Sequence, residues 1–141
     1  MIVLDASMAL SWLFERNNVT EAQCADRALI AMANTEVGVP SLWHTEIINA
    51  LLVGERRQII TEAQVIDYLH RLSALPITTD TVSVTSRRDI VIALAREHQL
   101  TAYDATYLDL ALRSNAVLAT FDTKLAHAMR RAGGTVFCEL L

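Results

Sequence analysis

A single α/β domain, with a central parallel sheet flanked by helices on both faces, is what this 141-residue chain predicts. Three observations carry that expectation. Short apolar, β-branched runs alternate with longer helical stretches along the chain, the order that produces parallel strands joined by crossover helices. The first run, Ile2, Val3 and Leu4, is apolar without alternation, as a strand buried from both sides must be. Finally, Asp5 and Asp122 each follow a strand-like run, and the carboxyl ends of strands are where such sheets bind ligands.

Taken in order, residues 2–4 form the first strand and Asp5 closes it before a helix over 8–14. An Ala-rich helix follows over 19–34, then a strand over 36–39 that stops at Pro40. Ser41 is placed to cap a helix over 42–57, and Thr61 with Gln64 makes a capping box for one over 62–72. After Pro76 comes a strand over 77–79. Ile90, Val91, Leu94 and Ala95 recur at helical spacing within 80–98, and a further helix covers 103–113. A strand over 116–120, a helix over 123–131 stopped by Gly133 and Gly134, and a last strand over 135–138 complete the chain.

Length and a hydrophobic content of 52% suit one well-packed domain, residues 1–141, and no repeat, low-complexity tract or linker interrupts it. The apolar N-terminal stretch carries Asp5, has no basic residue ahead of it and is too short to span a bilayer, so a soluble, cytoplasmic protein without membrane contact is expected. Cys24 and Cys138 are far apart with no partner motif and read as separate small buried residues of a reducing compartment. The net charge of −4 argues only weakly against a polyanionic partner. Setting aside four clustered acids leaves 12 acidic against 12 basic residues, so the remainder is balanced.

Those four are Asp5, Glu46, Asp104 and Asp122. Each alone has a bland explanation. An Asp after a strand is a ready helix cap, and Asp104 at a helix start already suits the dipole. Glu46 is less easily dismissed, because Leu42, Trp43, Ile47, Ile48, Leu51 and Leu52 surround it with apolar neighbours where an unpaired carboxylate is costly. Together, four converging carboxylates without matching cations would force proton uptake unless a hard divalent ion such as Mg²⁺ or Mn²⁺ joined them. Asn49 lies one turn beyond Glu46, suited to hold it or a water, or else to make a core hydrogen bond. Ser7 and Thr120, each two residues from an acid, read equally as ligand-orienting hydroxyls or as helix caps.

Among the remaining polar residues, Lys124 reads either as a phosphate contact or as a solvated surface residue, while Asp80, Asp89 and Asp109 read as surface or capping acids. His44 points to another side of its helix from Glu46 and reads as structural. Trp12, Phe14 and Trp43 read as core aromatics or as the lining of a groove.

The four segments that hold these acids resemble the PIN-domain ribonucleases, and within them the VapC toxins of bacterial toxin–antitoxin pairs. They are Val3-Leu4-Asp5-Ala6-Ser7, Pro40-Ser41-Leu42-Trp43-His44-Thr45-Glu46-Ile47-Ile48-Asn49-Ala50-Leu51, Tyr103-Asp104-Ala105-Thr106-Tyr107-Leu108 and Thr120-Phe121-Asp122-Thr123-Lys124-Leu125. No single segment is specific, but the four in this order over the whole chain are. The resemblance implies a PIN-like fold and a Mg²⁺- or Mn²⁺-dependent endoribonuclease. Asp5, Glu46, Asp104 and Asp122 would be its metal-binding acids, Thr120 and Ser7 its site hydroxyls and Asn49 a supporting residue. It also implies a homodimer whose N-terminal helices, with Trp12, Phe14 and Trp43, are clasped by a VapB-like antitoxin.

Two rival chemistries fit less well. Phosphoryl transfer onto Asp5, as in haloacid-dehalogenase-like phosphatases, wants an Asp where this chain has Ser7, and a receiver domain wants an acidic pair before its phosphoacceptor; nucleotide binding lacks any Gly-rich loop. A PIN-like scaffold without catalysis would be expected to have lost one of the acids.

Overall fold

Four three-residue strands, β1 (Ile2–Leu4), β2 (Val37–Val39), β3 (Ile77–Thr79) and β4 (Val117–Ala119), pair in parallel in the order β3-β2-β1-β4 in the computed structural model, which describes residues 1–138. The last three residues of the expected domain lie outside the described residues. Every side chain of β1 and β2 is buried although neighbours point to opposite faces, so helices cover the sheet on both sides. Strand β3 stands at the edge and is only partly covered.

Among the described residues seven helices connect and cover the strands: α1 (Ala6–Leu10), α2 (Val19–Ala31), α3 (Leu42–Arg56), α4 (Glu62–Ser73), α5 (Val84–His98), α6 (Ala102–Arg113) and α7 (Thr123–Arg131). The capping box at α4 is complete, with Thr61 accepting from the Gln64 amide at 3.2 Å and Gln64 accepting from the Thr61 amide at 2.9 Å. Ser41 behaves otherwise than expected. Its backbone is already helical and its side chain makes no cap bond. Helix α1 is shorter than predicted because the chain tightens after Leu10 into i→i+3 bonds, and Ser11 Oγ donates to the Met8 carbonyl at 2.5 Å. The strand expected over 135–138 is reduced to a single bridge from Val136 to Leu118. Gly133, at φ +86°, turns the chain after α7. Cys138 also has a positive φ, +68°.

The core is built from Leu4, Met8, Trp43, Ile47, Leu51, Tyr107, Leu108, Leu118 and Leu125, all fully buried. Trp43 therefore belongs to the core. Trp12 and Phe14 pack against the core's margin; Trp12 Nε1 donates to the Ala25 carbonyl at 3.0 Å, and Phe14 lies against Gly54, where a Cβ would come within 2.8 Å of its ring.

Two expectations are overturned by packing. Cys24 and Cys138 are disulfide-bonded, with Cα atoms 6.0 Å apart, because the segment after α7 folds back beside α2. Asp109 is not a surface acid: only 4% exposed, it accepts from Arg87 at 3.0 and 2.6 Å and from Arg113 at 3.5 Å. Arg113 also pairs with Asp80, tying α5, α6 and the loop after β3 together. Burial alone would raise the Asp80 carboxyl, but the Arg113 hydrogen bond and charge and the Val82 amide hold it below its ordinary value.

Candidate functional site

The sheet order explains where the acids meet. After β1 the chain builds β2 and β3 on one side and later returns to place β4 on the other, so the topological switch point lies between β1 and β4. Beyond the carboxyl ends of these two strands a crevice opens. Asp5 follows β1 and donates its amide to the Ala119 carbonyl at 2.9 Å, while Asp122 ends the turn after β4 and caps α7 through Leu125 N at 2.9 Å. Glu46 comes from the first half of α3 and Asp104 from the first turn of α6.

All four acids, with Ser7 and Asn49, line one cavity of about 420 Å³. Asp5 is the deepest, at 6% exposure. One of its oxygens, Oδ2, accepts from Thr120 Oγ1 at 2.6 Å and from Ser7 Oγ at 2.7 Å. Each hydroxyl in turn accepts a main-chain amide. Asp122 N donates to Thr120 Oγ1 at 2.9 Å, and Phe121 N donates to Ser7 Oγ at 3.0 Å. With their lone pairs engaged by N–H groups, both hydroxyl protons are committed to the carboxylate. Thr120 and Ser7 are therefore orienting groups for Asp5, and neither caps a helix through its side chain. Asn49 reaches the crevice without bonding Glu46; that partner is Tyr107, whose hydroxyl donates to Glu46 Oε1 at 2.6 Å from the buried face of α6.

The electrostatics match this crowding. Burial pushes the Asp5 carboxyl up; the hydroxyls of Thr120 and Ser7 oppose that, and the charge of Asp122 adds to it. Glu46 is raised first by burial and then by Asp5 and Asp104, with Tyr107 opposing. Asp104 is pushed up to about 6, by burial first and then by Asp122 and Asp5, despite a bond from Thr101 and the charge of Lys124. Its helix start is capped by Thr101, whose Oγ1 accepts from Asp104 N at 3.1 Å.

The donor set is hard oxygen throughout, and its charges repel one another. That is the chemistry a divalent cation relieves, with Asp5, Glu46, Asp104 and Asp122 the residues able to hold it. Among the described residues no three His, Cys, Asp or Glu side chains close into a ready-made metal cage. The acids line a shared crevice rather than a tight shell, room enough for an ion that keeps part of its water, as Mg²⁺ does. Tyr107, Arg16 and Phe121 complete the walls or supports and carry no motif of their own; Tyr107 could have been found from its position one turn after Asp104 on the same helix face. A second cavity of about 280 Å³, beside α5 and α6, is mainly apolar and contains none of the four acids.

A parallel α/β sheet that gathers four carboxylates and two orienting hydroxyls at its switch point defines a class of domain built around an acidic crevice. The family model described as PIN domain matches residues 2–130, so the chain belongs to the PIN-domain family, whose members are typically nucleases. Its fold is similar to the crystal structure of PAE2754 from Pyrobaculum aerophilum, at TM-score 0.69 and 25% identity, covering 99% of this chain and 85% of the other. It is also similar in fold to FitAcB from Neisseria gonorrhoeae, at TM-score 0.65 and 18% identity, covering 97% and 96%. No curated protein matches the chain significantly.

Proposed function

We propose that this PIN domain is a Mg²⁺- or Mn²⁺-dependent endoribonuclease that acts as the toxin of a toxin–antitoxin pair, with Asp5, Glu46, Asp104 and Asp122 as the metal-binding acids. The observation that carries the reading is the meeting of all four in one crevice, with Asp5 held by two hydroxyls. When bound, a divalent cation supplies Lewis-acid activation of water and offsets charge on the phosphate. The chain's own part is positional. Thr120 and Ser7 fix one oxygen of Asp5, Tyr107 fixes one oxygen of Glu46, and Asn49 offers an amide from the wall. The toxin assignment rests on the VapC-like order of the four acidic segments, and with it go a VapB-like antitoxin, a homodimer and a cytoplasmic site of action. No helix among the described residues is long and apolar enough to cross a membrane.

The test is sequencing of RNA ends after expressing the wild-type chain and Asp5→Asn in matched cells, with growth recorded for both. Discrete new ends and growth arrest that vanish in Asp5→Asn are expected. Identical RNA profiles and unaffected growth would instead favour a non-catalytic RNA-binding scaffold.

A further inference from the structure

Besides Lys124, whose charge acts on Asp104, a second cation stands among the carboxylates. Arg16, in the loop between α1 and α2, lines the same crevice as Asp5, Glu46, Asp104 and Asp122. A positive side chain in such company would ordinarily be expected to neutralise one of the four acids. Arg16 does not: its Nε donates to Glu21, which lies outside the acid cluster in the first turn of α2. Its guanidinium carbon lies 4.2 Å from the centre of the Phe121 ring, the residue between Thr120 and Asp122.

These contacts hold the guanidinium from two directions. Glu21 is itself anchored, its amide donating to the Asn18 cap at 3.2 Å, and Phe121 is tied to the floor of the site through its amide bond to Ser7. The Nε edge is spent on Glu21, while both terminal amino groups remain without a hydrogen-bond partner among the described residues. A planar, permanently charged fork, stacked on an aromatic ring and pinned along one edge, is the pre-organised form of a phosphate contact. The acids give such a contact its use. A phosphodiester approaching four carboxylates is repelled, and a divalent cation cannot offset all of that charge alone.

We propose that Arg16 binds a phosphate of the RNA chain at the mouth of the acidic crevice, with Glu21 and Phe121 as the residues that position it. The inference rests on the endoribonuclease reading and adds a substrate-binding residue to it. The contact is to backbone, so it contributes to affinity equally for all sequences.

The experiment compares wild type, Arg16→Ala and Arg16→Lys in cleaving a single-stranded RNA pool of random sequence with Mg²⁺, between 50 and 200 mM KCl, each variant first checked for a wild-type melting profile. A lost charge-assisted contact to phosphate is expected to raise KM about tenfold in Arg16→Ala, with kcat changed by less than about threefold. The slope of log(kcat/KM) against log salt should become shallower by about 0.7. Arg16→Lys keeps the charge and should recover the slope while leaving KM above wild type, and it carries the test if Arg16→Ala fails to fold. Wild-type KM and salt slope in Arg16→Ala would overturn the proposal and leave the nuclease reading standing, as would a fall confined to kcat. If the wild-type chain itself cleaves nothing, the nuclease reading falls and the phosphate contact falls with it.

Discussion

Thr120 Oγ1 donates to Asp5 Oδ2 at 2.6 Å across a separation of 115 residues, joining the ends of β4 and β1 at the deepest carboxylate of the crevice. Thr120→Val keeps the shape and removes the donor. Because that bond favours the ionised carboxylate, its loss should raise the Asp5 carboxyl further and move the acid limb of the cleavage profile to higher pH. A hydrogen bond to a charged group contributes about 1.5–3 kcal/mol, so kcat/KM near neutral pH should fall roughly tenfold to a hundredfold. A pH–rate profile of Thr120→Val against wild type checks both; an unshifted acid limb would remove Thr120 from the site's machinery.

Tyr107→Phe tests the second positioning bond. The ring is fully buried and its hydroxyl donates to Glu46 at 2.6 Å, so the variant keeps the packing and releases the carboxylate. Glu46 should titrate higher and bind metal less tightly. The expected result is a severalfold rise in the Mg²⁺ concentration needed for half-maximal cleavage, with a melting temperature within a few degrees of wild type.

Proton linkage gives a prediction with a definite sign. Asp104 titrates near 6 in the folded chain, above its ordinary value of 3.8, and Asp5 and Glu46 are displaced the same way. The folded state therefore binds protons more tightly than the unfolded one, and stability falls as pH rises from about 4 through about 6. Asp80 is shifted oppositely, so its contribution is lost only as pH falls below about 4, outside this window. Thermal melts in EDTA should show a lower melting temperature at pH 7.5 than at pH 5.5. Millimolar Mg²⁺ should restore the loss at pH 7.5 and act weakly at pH 5.5, where protons compete for the same oxygens. Melts insensitive to Mg²⁺ at both values would argue against a metal site.

The bond between Cys24 and Cys138 closes a loop with a sequence separation of 114 and ties the segment after α7 to α2. Disulfides typically contribute about 2–4 kcal/mol, with longer loops toward the upper end, so dithiothreitol, or Cys138→Ser, should lower the urea midpoint accordingly. Thiol counting on unfolded protein purified without reductant should find no free thiol, and two after reduction. In a reducing cytoplasm the pair is expected as two thiols, with that stabilisation absent.

Much of the fold was legible locally. Helix α7 (Thr123–Arg131) and strand β3 (Ile77–Thr79) have the predicted bounds, because a cap or a proline marks their starts and a glycine or an edge position ends the pattern. The misread places are those where a distant partner decides the outcome. Val136 has strand-like neighbours but, among the described residues, pairs with the sheet only through a bridge to Leu118, and Asp109 looks like any helical surface acid until α5 brings Arg87 against it.

Taken alone, the amino-acid order carried the parallel α/β class in its uninterrupted apolar runs and caps, and it pointed to the family and to the four acids through the resemblance of the four segments that hold them. The tertiary structure alone decided that the Thr120 and Ser7 hydroxyls both hold one oxygen of Asp5, that Tyr107 rather than Asn49 holds Glu46, that Arg16 shares the crevice with the acids, and that Cys24 meets Cys138. The physical reason is range. Backbone propensity acts over a few residues, whereas a hydrogen bond or a bridge between positions 61, 114 or 115 apart exists only once the sheet order has brought their elements side by side.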